Sequence, residues 1–159
     1  MCSLVIRPAR EAEYDAVARI WLESWESTGL SDPGETGFDA LRARIEREIA
    51  AGWELYVAEA GDALAAMLAI RPADHHLDQI FVAPAFQGLG IGKALLAFAR
   101  TRMPDEIWLR TSAANARAWR WYEKEGFVRE REEPQPGAPA PRAYYRWKRG
   151  TAAGPDQEA

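Results

Sequence analysis

The period of apolar and polar positions changes repeatedly along the chain, and each change marks an element. Leu4-Val5-Ile6-Arg7 predicts a short strand stopped by Pro8. From about Arg10 to Thr28, Tyr14, Val17, Trp21 and Trp25 recur at helical spacing. Gly29, Pro33, Gly34 and Gly37 break that helix, and Leu41, Ile45 and Ile49 predict a second one from about Phe38 to Ala51. Trp53 to Ala60 alternates, Gly61-Asp62 is a turn, and Ala63 to Ile70 is continuously apolar, so a β-hairpin is expected, ended by Pro72. A strand over Leu77–Val82 follows, then a helix from about Gly90 to Met103 with Ile91, Leu95, Phe98 and Ala99 on one face. Ile107-Trp108-Leu109 reads as a buried strand. The last helix starts at Asn115 and ends with Gly126 at C′, with Ala118 and Tyr122 on one face. Strand resumes at Phe127, and the prolines through residues 132–142 predict an irregular link to a final strand, Tyr144–Lys148.

The elements make one domain, residues 1–149, with a flexible tail over 150–159. At 159 residues the chain can bury roughly two thirds of its unfolded surface. No apolar run approaches the ~20 residues of a membrane span, the N-terminus does not read as a signal peptide, and Cys2 is the only thiol. A cytoplasmic protein is the simplest expectation, with neither membrane nor nucleic acid as partner and a homodimer left open. Net charge is −4, but residues 1–92 carry 7 basic and 15 acidic side chains whereas residues 93–159 carry 13 and 9, a balance of −8 against +4. Lys93, Arg100, Arg102, Arg117, Arg120 and Lys124 fall on the two later helices, where an anionic ligand would be welcome.

The candidate ligand loop lies between the strand Leu77–Val82 and the helix after it. Gly88, Gly90 and Gly92 remove side chains where backbone N–H groups must approach an anion, and the helix directs its positive end the same way. A P-loop needs four residues between its first glycine and Gly-Lys, then Ser or Thr. Gly88 and Gly92-Lys93 have three between them, and Ala94 follows. The dinucleotide fingerprint G-x-G-x-x-G also fails, and Ser112 and Ala113 stand where its acidic residue belongs.

What remains is Gln87-x-x-Gly90-x-Gly92, followed later by Asn115-x-x-Ala118-x-x-x-Tyr122-x-x-x-Gly126-Phe127. Two motifs in this order resemble the GNAT superfamily of acetyl-CoA-dependent N-acetyltransferases, firmly over residues 76–128 and only in architecture elsewhere. The resemblance implies an α/β (α+β) fold with a mixed, mostly antiparallel sheet of about seven strands and about four flanking helices. It also implies a V-shaped splay between the fourth and fifth strands, with the pantetheine arm of the donor lying in the V.

Acetyl transfer to an amine needs a held donor, a deprotonated amine, donors to the oxyanion and a proton for the thiolate. By the resemblance, Gln87 and the backbone of Gly88, Gly90, Gly92 and Lys93 bind pyrophosphate, and Phe81 and Val82 pair through their backbone with pantetheine. The Val82 N–H would be the oxyanion donor, Asn115 would bond the pantetheine region, and Tyr122 would protonate the leaving sulfur. Strand alternation puts His76, Asp78, Ile80 and Val82 on one face, so His76 and Asp78 are the candidate bases, with His75 pointing away. No metal is expected.

The reaction expected is direct attack by an amine on acetyl-CoA in a ternary complex. Glu23, Glu26, Asp32, Glu35 and Asp39, with Trp21 and Trp25 nearby, suggest a cationic acceptor, a small molecule or peptide. The competing class is a non-catalytic acyl-CoA sensor or interaction module on the same fold.

Overall fold

The computed structural model describes residues 3–30 and 37–150. Cys2, Asp32, Glu35 and the expected tail beyond Gly150 lie outside the described residues. In chain order the elements are β1 (Leu4–Pro8), α1 (Tyr14–Glu26), α2 (Phe38–Ala50), β2 (Glu54–Ala60), β3 (Ala63–Arg71) and β4 (His76–Val82). They continue with α3 (Ile91–Arg102), β5 (Glu106–Ser112), α4 (Ala116–Lys124), β6 (Val128–Glu133) and β7 (Arg142–Lys148). The seven strands form one mixed sheet in the order β1-β2-β3-β4-β5-β7-β6, and only β4 and β5 run parallel.

Three boundaries differ from expectation, each for a local reason. The first helix opens with a 3₁₀ turn over Glu11–Glu13, where the Glu13 carboxylate accepts from the Arg10 backbone N–H at 2.9 Å. Pro8 lies inside β1, tolerated because β1 is an edge strand. The irregular link is shorter than residues 132–142: Glu132 and Glu133 pair with Ala143 and Arg142, so the strands run on until the prolines themselves interrupt them.

The sheet buries a core on each face. One core joins α3 and α4 to Leu68, Ile70, Leu77, Ile107, Leu109 and Tyr145. The other joins α1 and α2 to Trp53, Leu55, Val57 and Met67, and takes no residue from β5, β6 or β7. Each fully buried Leu or Ile contributes roughly 1.5–3 kcal/mol relative to exposure. Burial on β5 is one-sided: Ile107 and Leu109 are buried, Trp108 is half-buried and Arg110 is exposed, so the expected fully buried strand is a half-buried one.

A bulge in β4 sets the phase of the site. Gln79 pairs with Ala69 and Leu77 with Ile70, which leaves Asp78 as the extra residue. Leu77, Ile80 and Val82 therefore pack on the α3 side, whereas Asp78 meets Trp53 on the α1 side. This corrects the simple alternation that placed Asp78 with Ile80 and Val82.

Candidate active site

Strands β4 and β5 share one register pair, His76 with Trp108, and the Trp108 N–H donates to the His75 carbonyl at 2.8 Å. Beyond that vertex the two strands separate. The Ala83 N–H donates to the Ala65 carbonyl at 2.8 Å, so residue 83 faces β3 and Val82 turns its own N–H and C=O away from β3, into the cleft. The Val82 carbonyl accepts from Ser24 Oγ and from Gln87 Nε2, each at 3.1 Å. Phe81, expected to offer its backbone to the donor, instead pairs with Met67 and turns that backbone toward β3. Its side chain packs on the α1 and α2 core.

The open end of the cleft carries the glycine loop. Gly88 and Gly90 both have φ +82°, the left-handed region that costs other residues about 1–2 kcal/mol, and a Cβ on either would meet only open space. Gly90 is the N-cap of α3 without a side-chain cap, and the first helical bond runs from Ala94 N to Gly90 O at 3.1 Å. The N–H groups of Ile91, Gly92 and Lys93 therefore precede the helix's own ladder and fit an anion. Gly92 sits under Trp121, 3.5 Å from where a Cβ would be, and brings α3 and α4 together.

Two side chains of the loop region make contacts within the protein. Gln87 donates to Val82 and accepts from Arg117 Nη2 at 3.2 Å, so it ties the end of β4 to α4. Lys93 Nζ stands 3.7 Å from Glu125 Oε2, although the side chain is largely exposed. Asn115 caps α4, its Oδ1 accepting from the Ala118 N–H at 3.3 Å. Tyr122 is buried beside Trp121 and Phe127, and burial alone raises its phenol well above the ordinary value.

At the vertex, the structure brings His76 and Asp78 together, with Nε2 3.8 Å from Oδ1. His76 Nδ1 lies 3.2 Å from the Trp108 carbonyl oxygen, and its ring stacks on Trp108 at 3.7 Å between centroids and 14°. A carbonyl can only accept, so Nδ1 carries the proton and Nε2 the lone pair in the neutral ring. Burial lowers the His76 pKa below its ordinary 6.5, against an opposing pull from Asp78. The Asp78 carboxylate accepts from Trp53 Nε1 at 2.8 Å and Gln79 Nε2 at 3.2 Å, with Arg71 Nε at 3.8 Å. His75 lies outside β4, with φ 55°.

The expected acidic and aromatic wall is only partly assembled. Trp21 is buried against Trp53, with Arg44 over its ring at 5.1 Å, so it belongs to the core. Sequence reasoning missed Ser24, Trp53 and Trp108. Ser24 is a buried polar residue among the apolar positions of α1, the one signal that could have marked it.

A two-faced sheet with a cleft between its one parallel pair, a glycine nest at one end and an imidazole–carboxylate pair at the other, defines an acyltransferase architecture. The model of the Acetyltransferase (GNAT) family matches residues 14–127, and the chain belongs to that family of acetyltransferases. Among solved structures, a GNAT-family protein from Desulfovibrio desulfuricans is 25% identical, with TM-score 0.75, over 92% of this chain and 99% of its own. The yncA protein of Salmonella typhimurium, solved with acetyl-CoA, is 20% identical over 97% and 98%, with TM-score 0.70. Spermidine N-acetyltransferase from Vibrio cholerae, solved with CoA and spermine, is 19% identical over 93% and 96%, with TM-score 0.70. A search of curated protein sequences gave no match.

Proposed function

We propose that this acetyltransferase transfers the acetyl group of acetyl-CoA directly to the amine of a small molecule or peptide in a ternary complex. The observation that carries the reading is the cleft itself: Val82 faces it, the glycine nest closes one end, and His76 and Asp78 stand at the other. The backbone of Gly88, Gly90, Gly92 and Lys93 would hold the pyrophosphate, with Gln87 acting indirectly by fixing the end of β4. Asn115 and the Val82 backbone would position the pantetheine arm, and Phe81 supports them from the core.

The donor supplies an activated thioester; the chain supplies orientation and proton handling. Val82 N–H would bond a carbonyl of the pantetheine arm, since six residues of strand, about 20 Å, separate it from His76. Asp78, anchored by Trp53, receives the ammonium, and His76 Nε2 takes its proton directly or through water. Tyr122, kept protonated by burial, delivers a proton to the departing thiolate. The acidic side chains Glu23 and Glu26 on α1 support a positively charged amine by steering, without the Trp21 contribution expected from sequence. A sensor would bind the donor without turnover. Thiol release from acetyl-CoA with an amine panel decides: release above background supports transfer, and donor binding with no release on any amine supports the sensor. A cytoplasmic location and a homodimer belong to the same proposal.

A further inference from the structure

The α1-side face of β5, β7 and β6, left uncovered by the second core, carries a row of stacked rings and, at the mouth of the cleft, Arg110. His76, Trp108 and Tyr144 follow one another across β4, β5 and β7, with centroid spacings of 3.7 and 6.2 Å and interplanar angles of 14° and 19°. Arg110 stands two residues beyond Trp108 on the same face, opposite the wall that holds Asp78, where β4 and β5 have begun to part. It is exposed, and its Nη1 donates to Tyr144 Oη at 3.5 Å.

Three arginines of β6 and β7 are neutralised. Arg129 meets Glu132 at 2.7 Å, Arg131 meets Glu133 at 2.9 Å, and Arg146 meets Glu106 and Glu130 at 2.8 and 2.9 Å. Arg131 also covers the Tyr144 ring at 3.9 Å, which closes that side of the pocket. Arg110 has no carboxylate within 4.0 Å among the described residues; its charge disfavours the protonated form of His76 and, after Arg131, helps hold the Glu133 carboxyl below its ordinary value. An exposed guanidinium without a direct ion pair, across the parting strands from a carboxylate–imidazole pair, is the complement of a zwitterion.

We infer that Arg110 is an acceptor-binding residue, and that the acceptor is a small amino carboxylate whose ammonium meets Asp78 and His76 while its carboxylate meets Arg110. The inference rests on the acetyl-transfer reading and names its substrate class. Because the carboxylate must span one strand gap from the amine, a compact amino acid fits and a peptide with a distant C-terminus does not.

The test compares amino acids with their carboxamides, which match them in size but lack the charge. The carboxamides are the weaker bases, so ionisation alone would favour them. Wild type should prefer the carboxylates in kcat/KM, and Arg110→Gln should erase about 10- to 100-fold of that preference, mainly through KM, the size of a lost charged hydrogen bond. Arg110→Lys should restore part of it and Arg110→Glu should invert it. Carboxamides used as well as carboxylates, or equal losses on both, would overturn the inference and leave acetyl transfer standing. If no amine releases thiol, calorimetry of N-acetyl amino acids on the CoA-saturated protein replaces kinetics: binding to wild type and not to Arg110→Gln upholds the inference, and equal or absent binding overturns it.

Discussion

His76 and Trp108 are joined twice: their rings stack at 3.7 Å, and the Trp108 carbonyl accepts a hydrogen bond from His76 Nδ1–H at 3.2 Å. Both contacts come from the single register pair between β4 and β5, so the strand pairing that ends at the vertex also selects the tautomer of the candidate base. Second-order control of this kind fixes which nitrogen can accept a proton.

For the base, His76→Gln and Asp78→Asn are each expected to lower kcat/KM by about 10²- to 10⁴-fold on a strongly basic amine. A weakly basic amine, already neutral at assay pH, should lose much less. Steady-state rates on one amine of each kind check this. A uniform loss on both amines would mean that the two residues only shape the pocket.

The stability of the protein should record the same group. The folded pKa of His76 lies below the ordinary 6.5, so the folded state binds fewer protons than the unfolded one through that region. The contribution is whole above pH 6.5 and is lost as pH falls through the folded pKa. Thermal melts should therefore show the wild-type advantage over His76→Gln shrinking from pH 7.5 downward; a constant difference would contradict the assignment.

Gly90→Val should weaken acetyl-CoA binding by about 100-fold or more, since a branched residue opposes φ +82° and its side chain enters the open space of the nest. Calorimetry on the folded variant is the check. Gln87→Leu should weaken binding by less, because Gln87 reaches the Val82 carbonyl and its effect is indirect.

Tyr122→Phe should reduce kcat by about 10- to 100-fold with acetyl-CoA affinity nearly unchanged. Single-turnover thiol release distinguishes this from a packing defect, which would lower the melting temperature instead. Tyr145→Phe is the structural contrast. Its hydroxyl donates to Glu123 at 2.7 Å and accepts from Arg129 at 2.8 Å, so its loss should cost about 1–2 kcal/mol by denaturant melts.

The sequence showed the strand, loop and helix around Gly90 because periodicity and glycine chemistry are local. It also paired His76 with Asp78, although for an incomplete reason. Alternation cannot reveal a bulge, whose position depends on how Ala69 and Ile70 register against β4. The contacts of Gln87 were hidden for a similar cause: a polar side chain beside a ligand loop reads as a ligand contact, and only the folded chain shows that it also meets Val82 and Arg117. Arg110 was invisible as a site residue because its meaning lies in its place across the parting strands from Asp78, which no linear pattern displays.

The double acceptance at the Val82 carbonyl has a consequence for what the inner edge of the sheet can recruit. A free strand edge offers alternating donors and acceptors and so invites any extended peptide, including another copy of the chain. Here Ser24 and Gln87 consume the acceptor and leave the donor exposed to the cleft. The edge is thereby made one-handed in its chemistry: a molecule that brings a carbonyl oxygen to Val82 is received, and one that also brings an N–H to the neighbouring position finds its acceptor already taken. Two modest side-chain bonds thus make an interior edge selective while keeping it open to a carbonyl of the donor.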